Sequence, residues 1–279
     1  MMKAASAIFL AGAAFLCAQQ VVYIEPPHDS GQGVTPAFEG WFPNSDGSFS
    51  ILFGYFNRNR KQELDIPIGP GNHVDPGGPD QGQPTHFLVQ RRWGMFTITV
   101  PKNFAGKLTW TLVANGKTAQ VPASLDPLWE LNPFKDATGN TPPFIGFAQN
   151  GPFVNGPRGQ TRALSGTVAN PVPLNIWVAD DASVIPGATR PRTPAVTLIW
   201  SKLRGPGGVT FSSDRPTIET AQVQGAANPV FSGKASTTAM FSEPGDYVLN
   251  VLANDWTGDG GRGFQCCWSN AQVKVSIKK

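Results

Sequence analysis

The chain has 279 residues, with 22 Lys and Arg against 19 Asp and Glu, and only 15% of its residues are charged. This near-neutral balance excludes the extended basic surface of a nucleic-acid-binding protein, since the only dense basic spots are residues 58–61 and 91–92. Gly (31) and Pro (26) are abundant but follow no collagen-like period, which favours an all-β, loop-rich fold over long helices or fibres.

The first eighteen residues are typical of a secretory signal peptide. Lys3 supplies the positive start, residues 4–16 are apolar or small, and Ala18 offers a cleavage point. Two alternatives are a lipid anchor on Cys17 and a buried N-terminal helix. We therefore expect a secreted, periplasmic or cell-surface protein with no transmembrane segment after signal removal.

A polar lead at 19–33 precedes a first predicted β-sandwich at 34–124. Short apolar runs are joined there by hairpin turns, Asn-Ser-Asp-Gly at 44–47 and Asn-Gly at 115–116. Trp110 shares a strand face with Leu108 and Leu112, so we expect it to anchor the core. The Gly- and Pro-rich segment 69–85 is predicted to be a long surface loop outside that core.

Residues 125–160 form a connector whose prolines prevent any regular element from running far. The connector also carries more aromatic side chains than a free linker needs, including Trp129, Phe134 and Phe147. We expect an ordered connector that packs on one or both sandwiches, or a strap that binds a neighbouring chain.

Residues 161–279 predict a second sandwich, with seven short strands separated by turn residues. In the last of these strands, Val273, Val275 and Ile277 alternate with polar residues, as in a half-buried strand. Trp200 shares a face with Val196 and Leu198, and we expect it to anchor this second core. The predicted fold is thus two immunoglobulin-like antiparallel β-sandwiches joined by a Pro- and aromatic-rich connector.

Residues 196–277 also resemble a known group of domains. The motifs in order are VTLIW at 196–200, GPG at 205–207, AMF at 239–241, PGDY at 244–247, then Leu249, Val251, Ala253 and Asp255, and the closing strand with Val273, Val275 and Ile277. This pattern resembles PKD-type and cadherin-like extracellular β-sandwich domains. The resemblance implies a non-catalytic role as a spacer or binding module on cell surfaces or secreted enzymes.

The sequence gives little support to catalysis. It has three histidines, His28, His73 and His86, and lacks the Gly-x-Ser-x-Gly, Walker and His-Glu-x-x-His motifs. We therefore expect no enzyme; a hydrolase is the third alternative, favoured by any cleft that joins His73 or His86 to a carboxylate. A divalent metal held by His73, Asp75, Asp80 and His86 is a further alternative, although the spacing matches no defined site.

Calcium is the one cofactor that the sequence suggests. Asp255, Asp259 and backbone carbonyls of the following Gly-rich loop are hard oxygen ligands of the kind that Ca²⁺ prefers. Asp180 and Asp181 follow a predicted strand and are expected at the same end of the sandwich. The alternative is that these aspartates only form turns beside glycines.

Cys266 and Cys267 are adjacent and would be the only cysteines of the mature chain. In an oxidising exterior we expect them to form a vicinal disulfide; bonds to other chains and buried reduced thiols are the alternatives. Such a ring would rigidify the loop and present Phe264 and Trp268 as stacking platforms for sugars or other flat apolar ligands. A purely structural role has equal weight.

Four tryptophans, Trp93, Trp129, Trp256 and Trp268, fall in or beside predicted loops. With Phe264, the last three make up the predicted ligand-binding set. The predicted function is a secreted, non-catalytic structural or adhesion module of the bacterial exterior. Its expected partner is an extracellular protein or polysaccharide, and it could also self-associate. The alternative is a carbohydrate-binding accessory protein that uses these loop aromatics.

Overall fold

The structure, a computed structural model, describes residues 26, 28–183, 187, 194–226, 229–256 and 266–279. The predicted signal peptide and Cys17, together with Asp259 and Phe264, lie outside the described residues. Within the described ranges the chain forms eighteen β-strands and two short 3-10 helices. No helix in these ranges combines the length and hydropathy that crossing a bilayer requires.

The first sandwich is built from two three-stranded antiparallel sheets, β1-β2-β6 and β4-β7-β8, beside a small β3-β5 pair. Its strands are β1 (Val34–Pro43), β2 (Phe49–Asn57), β3 (Leu64–Asp65), β4 (Asn72–Asp75), β5 (His86–Phe87), β6 (Gln90–Val100), β7 (Leu108–Ala114) and β8 (Lys117–Ala123). The hairpins predicted at 44–47 and 115–116 join β1 to β2 and β7 to β8.

The first core is organised around Trp110, as predicted. Its ring is fully buried and meets Phe53 and Phe96 edge to face, with centroids 5.9 and 4.9 Å away. Its indole Nε1 donates a hydrogen bond to the side-chain oxygen of Asn72 at 3.0 Å. A buried Trp thus contributes apolar area while its polar atom stays paired.

The prediction that segment 69–85 is only a surface loop is wrong. Val74 is fully buried in β4, which pairs with β7 in the middle of its sheet. The buried Asn72 amide donates to the carbonyl oxygens of Ile66 and Pro84 at 3.0 and 2.7 Å, and Gln83 is also buried. Amides of Asn72, Gln81 and Gln83 donate to carbonyls in and beside this Gly- and Pro-rich segment, which helps it to enter the interior.

The second sandwich has one sheet ordered β10-β9-β12-β16-β14, with β15 also paired to β16, and a second sheet ordered β11-β18-β17-β13. Its strands are β9 (Phe144–Gly146), β10 (Phe153–Val154), β11 (Thr161–Thr167), β12 (Val172–Asp180), β13 (Thr197–Arg204), β14 (Val209–Phe211), β15 (Glu219–Thr220), β16 (Phe231–Phe241), β17 (Gly245–Asn254) and β18 (Trp268–Lys278). Taken in chain order, the two sheets follow the immunoglobulin arrangement, and β11 runs parallel to β18.

Two features of this sandwich match the immunoglobulin pattern at residue level. Trp200 in β13 is buried at 3% exposure, as predicted. The Tyr247 hydroxyl, at the start of β17, donates to the carbonyl of Glu243 at 2.8 Å and accepts from the Gly207 N–H at 3.1 Å. A tyrosine bonded to backbone just upstream is the tyrosine corner of such sandwiches. The all-β, immunoglobulin-like fold is confirmed.

The connector is largely built into the second sandwich. Its strand β9 pairs with β12, and β10 extends the same sheet outward. Two 3-10 helices, Pro127–Trp129 and Gly156–Arg158, each have a proline in their first two positions. The prolines thus limit each element to a few residues, while Ile145 is fully buried in the second core and the half-buried Phe147 packs against it.

Candidate functional site

The two sandwiches share an interface that fixes one against the other. Leu203 of β13 is 1% exposed and belongs to the core of the first sandwich, and its carbonyl accepts from the Thr85 N–H at 3.1 Å. The next residue, Arg204, makes two hydrogen bonds to the Asp80 carboxylate at 2.9 and 2.8 Å. A bidentate Arg–carboxylate pair beside a shared apolar contact resists both sliding and rotation.

Beside this interface lies a groove of about 740 Å³. Its walls come from both sandwiches: residues 90–93 and 95 of β6, residues 199–202 of β13, residues 250 and 252 of β17, and parts of the segments 63–88 and 208–215. Both β6 and β13 are the last strands of their sheets, so two sheet edges face this space.

A bulge in β6 supplies one wall of the groove. Phe96 pairs with Phe53 and Arg92 with Tyr55 of β2, so residues 93–95 stand opposite the single residue Gly54. Bulges turn side chains away from the sheet and are common beside binding sites. Here the bulge directs Trp93 and Met95 into the groove, and the Arg91 guanidinium lies 3.8 Å from the centroid of the Trp93 ring.

A buried carboxylate holds this bulge. Glu39, itself the bulged residue of β1, reaches across Gly54, where a Cβ would overlap its oxygen. It accepts from Arg91 Nη2 and from the Gly94 N–H, both at 2.6 Å. Burial raises the pKa of Glu39 to about 7, against the opposing effect of Arg91.

A second charged cluster occupies the floor of the groove. His86 Nδ1 lies 2.9 Å from Asp65 and Nε2 lies 3.1 Å from Glu63, and Lys202 of the other sandwich reaches Asp65 at 3.3 Å. This is a cleft that joins His86 to carboxylates, the observation that would favour a hydrolase. Both ring nitrogens lie within hydrogen-bond distance of carboxylates, and the hydrolase stays an alternative.

One buried polar atom in the groove has no partner. Asn250 of β17 lines the groove and is only 6% exposed, and its Oδ1 has no hydrogen-bond partner among the described residues. Buried amide oxygens are almost always hydrogen-bonded, because an unpaired one loses its hydration without compensation.

The predicted vicinal disulfide is present: Cys266 and Cys267 are bonded to each other through a cis peptide, and both are buried. The Cys267 Sγ lies 3.6 Å from the carbonyl oxygen of Asn140 in the connector. The Asn140 amide donates to Asp255 Oδ2 at 2.6 Å. The disulfide, the connector and the end of β17 are therefore tied together in one buried cluster.

The structure brings three of the four predicted calcium ligands to this same end. Asp180 is 2% exposed, and burial, followed by the charges of Asp255 and Asp181, raises its pKa to about 8. Asp181 turns to the connector, accepting from the Thr141 N–H and hydroxyl. In the described part of the chain, no three His, Cys, Asp or Glu side chains are grouped to hold a metal. Calcium binding, with Asp259 as the remaining ligand, stays a prediction.

The other predicted metal set is dispersed. His73 pairs with Asp75 at 3.1 Å, Asp80 pairs with Arg204, and His86 pairs with Glu63 and Asp65. These contacts are separate pairs at the surface and the interface. The prediction that the four residues together hold a divalent metal is therefore wrong.

The predicted aromatic set is divided by the fold. The prediction of an exposed Trp268 is wrong: it is 3% exposed, because it begins β18 and its ring fills the space above Gly94. Trp256 is half-buried. Trp129 is 50% exposed, with one side against Phe38 at a centroid distance of 5.3 Å.

Sequence reasoning missed the groove, because its walls come from distant parts of the chain. One local signal was available. Gly94 lies inside the predicted strand at 87–100, and a glycine inside a strand pattern often marks a bulge.

No protein-family model and no curated protein matches this chain. Among solved structures, the N-terminal domain of PorA covers 49% of the chain and 97% of its own length at 9% identity, with a TM-score of 0.26. The D00-D0 domain of Intimin covers 88% and 100% at 12% identity, with a TM-score of 0.26. Cadherin-like domains 1 to 4 of zebrafish RET cover 81% and 48% at 10% identity, with a TM-score of 0.24. These likenesses are too weak to carry any functional argument.

Proposed function

We propose that this protein is a non-catalytic structural or adhesion module of the bacterial exterior. The observation that carries the proposal is the interface between the sandwiches, where Leu203 enters the first core and Arg204 clamps Asp80. Two domains fixed in this way present their surfaces at a constant distance and angle, as a spacer or an adhesive stalk requires. A vicinal disulfide suits an oxidising compartment.

Removal and replacement of the protein in the cell that produces it tests this proposal. The chain should be accessible to protease added to intact cells or be found in the medium, and its deletion should weaken cell attachment. Wild-type protein should restore attachment. Leu203→Asp, which places a charge in the shared apolar contact, should not restore it. Leu128→Asp, a change at a side chain that is 91% exposed, is the matched control and should restore attachment fully.

A cytoplasmic location, or normal attachment after deletion, would contradict the proposal.

Carbohydrate binding is the second candidate function, because the groove between the sandwiches combines aromatic side chains with both hydrogen-bond donors and hydrogen-bond acceptors.

A further inference from the structure

We infer that the groove between the two sandwiches binds a neutral oligosaccharide, with Trp93 as the stacking surface and Asn250 as a buried hydrogen-bond acceptor. This inference rests on the proposed function as an exterior binding module and names the ligand class and its site. It moves the predicted sugar site away from the loop aromatics, Trp129, Trp256 and Trp268.

The size and position of the groove suit a small ligand. Its volume of about 740 Å³ falls within the usual range for small-molecule sites, which lie preferentially at domain junctions. Because Leu203 and Arg204 hold both walls in place, little ordering is left for the ligand to induce, and a preformed site binds more tightly than one that must close.

The Trp93 ring is held in a defined position. The bulge carries it out of the sheet, Arg91 lies over it, and Glu39 fixes Arg91 and the Gly94 backbone at 2.6 Å each. Burying Glu39 costs free energy, which its contacts to the bulge offset. Glu39 is therefore a positioning residue for an aromatic surface of the kind on which the C–H face of a sugar ring packs.

The charges in the groove favour a neutral ligand over a polyanion. Arg92 and Arg215 offer donors, whereas Asp214 and the second oxygen of Glu63, whose Oε2 pairs with His86, offer acceptors. Arg91 and Lys202 are already paired with Glu39 and Asp65. A sugar hydroxyl both donates and accepts, so a saccharide can satisfy both kinds of group.

An added peptide strand fits less well, although sheet edges line the groove. The edge of β13 is already capped, because the Trp200 N–H donates to the Asp214 carbonyl at 2.7 Å and the Leu203 carbonyl accepts from Thr85. A peptide that extends the sheet needs those groups free.

Asn250 gives the independent indication of a ligand. Asn250 lines the groove, and its Oδ1 lies buried behind the groove surface with no partner among the described residues, so a small rotation of the amide would let it accept a hydroxyl donated by a bound sugar.

The test is an array of neutral, uronate-containing and sulfated oligosaccharides probed with the labelled full chain, followed by calorimetric titration of the oligosaccharides that bind. We expect binding to a neutral oligosaccharide. Trp93→Ala should weaken it by roughly tenfold or more, through loss of the stacking contact. Trp129→Ala, which removes an exposed tryptophan elsewhere, is the matched control and should leave the affinity unchanged.

Asn250→Leu separates a binding role from a structural one. We expect this variant to lose affinity while its Tm stays equal to or above that of the wild type, because a buried unpaired oxygen is replaced by an apolar group of similar size. An array with no binding, binding only to anionic glycans, or full affinity in both groove variants would overturn the inference. If one of these results is obtained but the wild-type protein still restores cell attachment, the inference fails while the proposed function stands.

Discussion

Asp180 illustrates how strongly the environment of a single side chain departs from what its residue type suggests. Aspartate is usually exposed and ionised, yet this carboxyl is 2% exposed, and only its Oδ2 has a described partner, the Ala182 N–H at 2.7 Å. The nearby Asp255 charge adds to the effect of burial on its pKa. Asp180 therefore keeps its proton to a much higher pH than an ordinary aspartate does.

The stability of the protein should consequently fall as pH rises. The pKa of Asp180 is about 8 in the folded chain against an ordinary value of 3.8, so the folded state holds a proton that the unfolded state releases across this interval. The contribution of Asp180 to the free energy of unfolding is complete below pH 3.8 and is lost by pH 8. The change in that free energy is on the order of 5 kcal/mol. Asp180→Asn should reduce this dependence when Tm is measured from about pH 5 to about pH 8, and the slope that remains below about pH 7 should come from Glu39, whose pKa is also raised, to about 7.

The matched control for this titration is Asp246→Asn, at an exposed position of the same sandwich, which should keep the wild-type slope. An equally steep slope in Asp180→Asn would show that other groups cause it. Added Ca²⁺ provides a second comparison: if calcium occupies this end of the sandwich, it should raise the Tm of the wild type at about pH 8 and have less effect on Asp180→Asn.

Among the strands, the β6 bulge connects the most features of the molecule. Gly94 lies at its centre with a φ of 56°, its N–H bonds to Glu39, and its Cα faces the Trp268 ring so closely that a Cβ would overlap the ring. One glycine thus fixes the wall of the groove and the contact between β6 and β18.

Gly94→Ala should therefore destabilise the protein beyond the ordinary cost of a left-handed alanine, about 1 kcal/mol. Overlap with a ring that is itself buried should raise the loss to roughly 2–4 kcal/mol. Denaturant unfolding measures the difference. Gly116→Ala is the matched control, since Gly116 has a φ of 71° and a Cβ added there would meet no atom within 4 Å. Equal losses in the two variants would show that Trp268 yields to the added methyl group.

The strands themselves were largely predictable from the sequence, whereas the site was not. Alternation placed Val273, Val275 and Ile277 on the core face of β18, and the Asn-Gly turn located the β7–β8 hairpin. Segment 69–85 was misjudged because amide hydrogen bonds override its Gly and Pro content. Trp268 was misplaced because its burial depends on Gly94, a residue far away in sequence.

The molecule as a whole is a pair of sandwiches that share part of one core. Leu203 and Val248 come from the second sandwich yet pack in the first core, while the remaining strands of each sandwich bury their own apolar faces. Two charged pairs also cross the interface, Arg204 with Asp80 and Lys202 with Asp65. The aspartate of each pair is about half exposed, and exposed ion pairs contribute little, so most of the coupling free energy should come from the apolar contact.

Leu203→Ala should accordingly uncouple the two sandwiches as well as destabilise them. Truncating a buried leucine costs about 2–5 kcal/mol, and here the lost contact is the one that makes unfolding of one sandwich expose the core of the other. We expect one calorimetric transition in the wild type and two in the variant, with a calorimetric enthalpy above the van't Hoff value. Leu174→Ala is the matched control, because Leu174 is equally buried but packs only within the second sandwich. It should lower the Tm by a similar free energy and leave the coupling unchanged. A single transition in Leu203→Ala would mean that Leu203 is not what joins the two sandwiches, and that Val248 or the ion pairs keep them coupled.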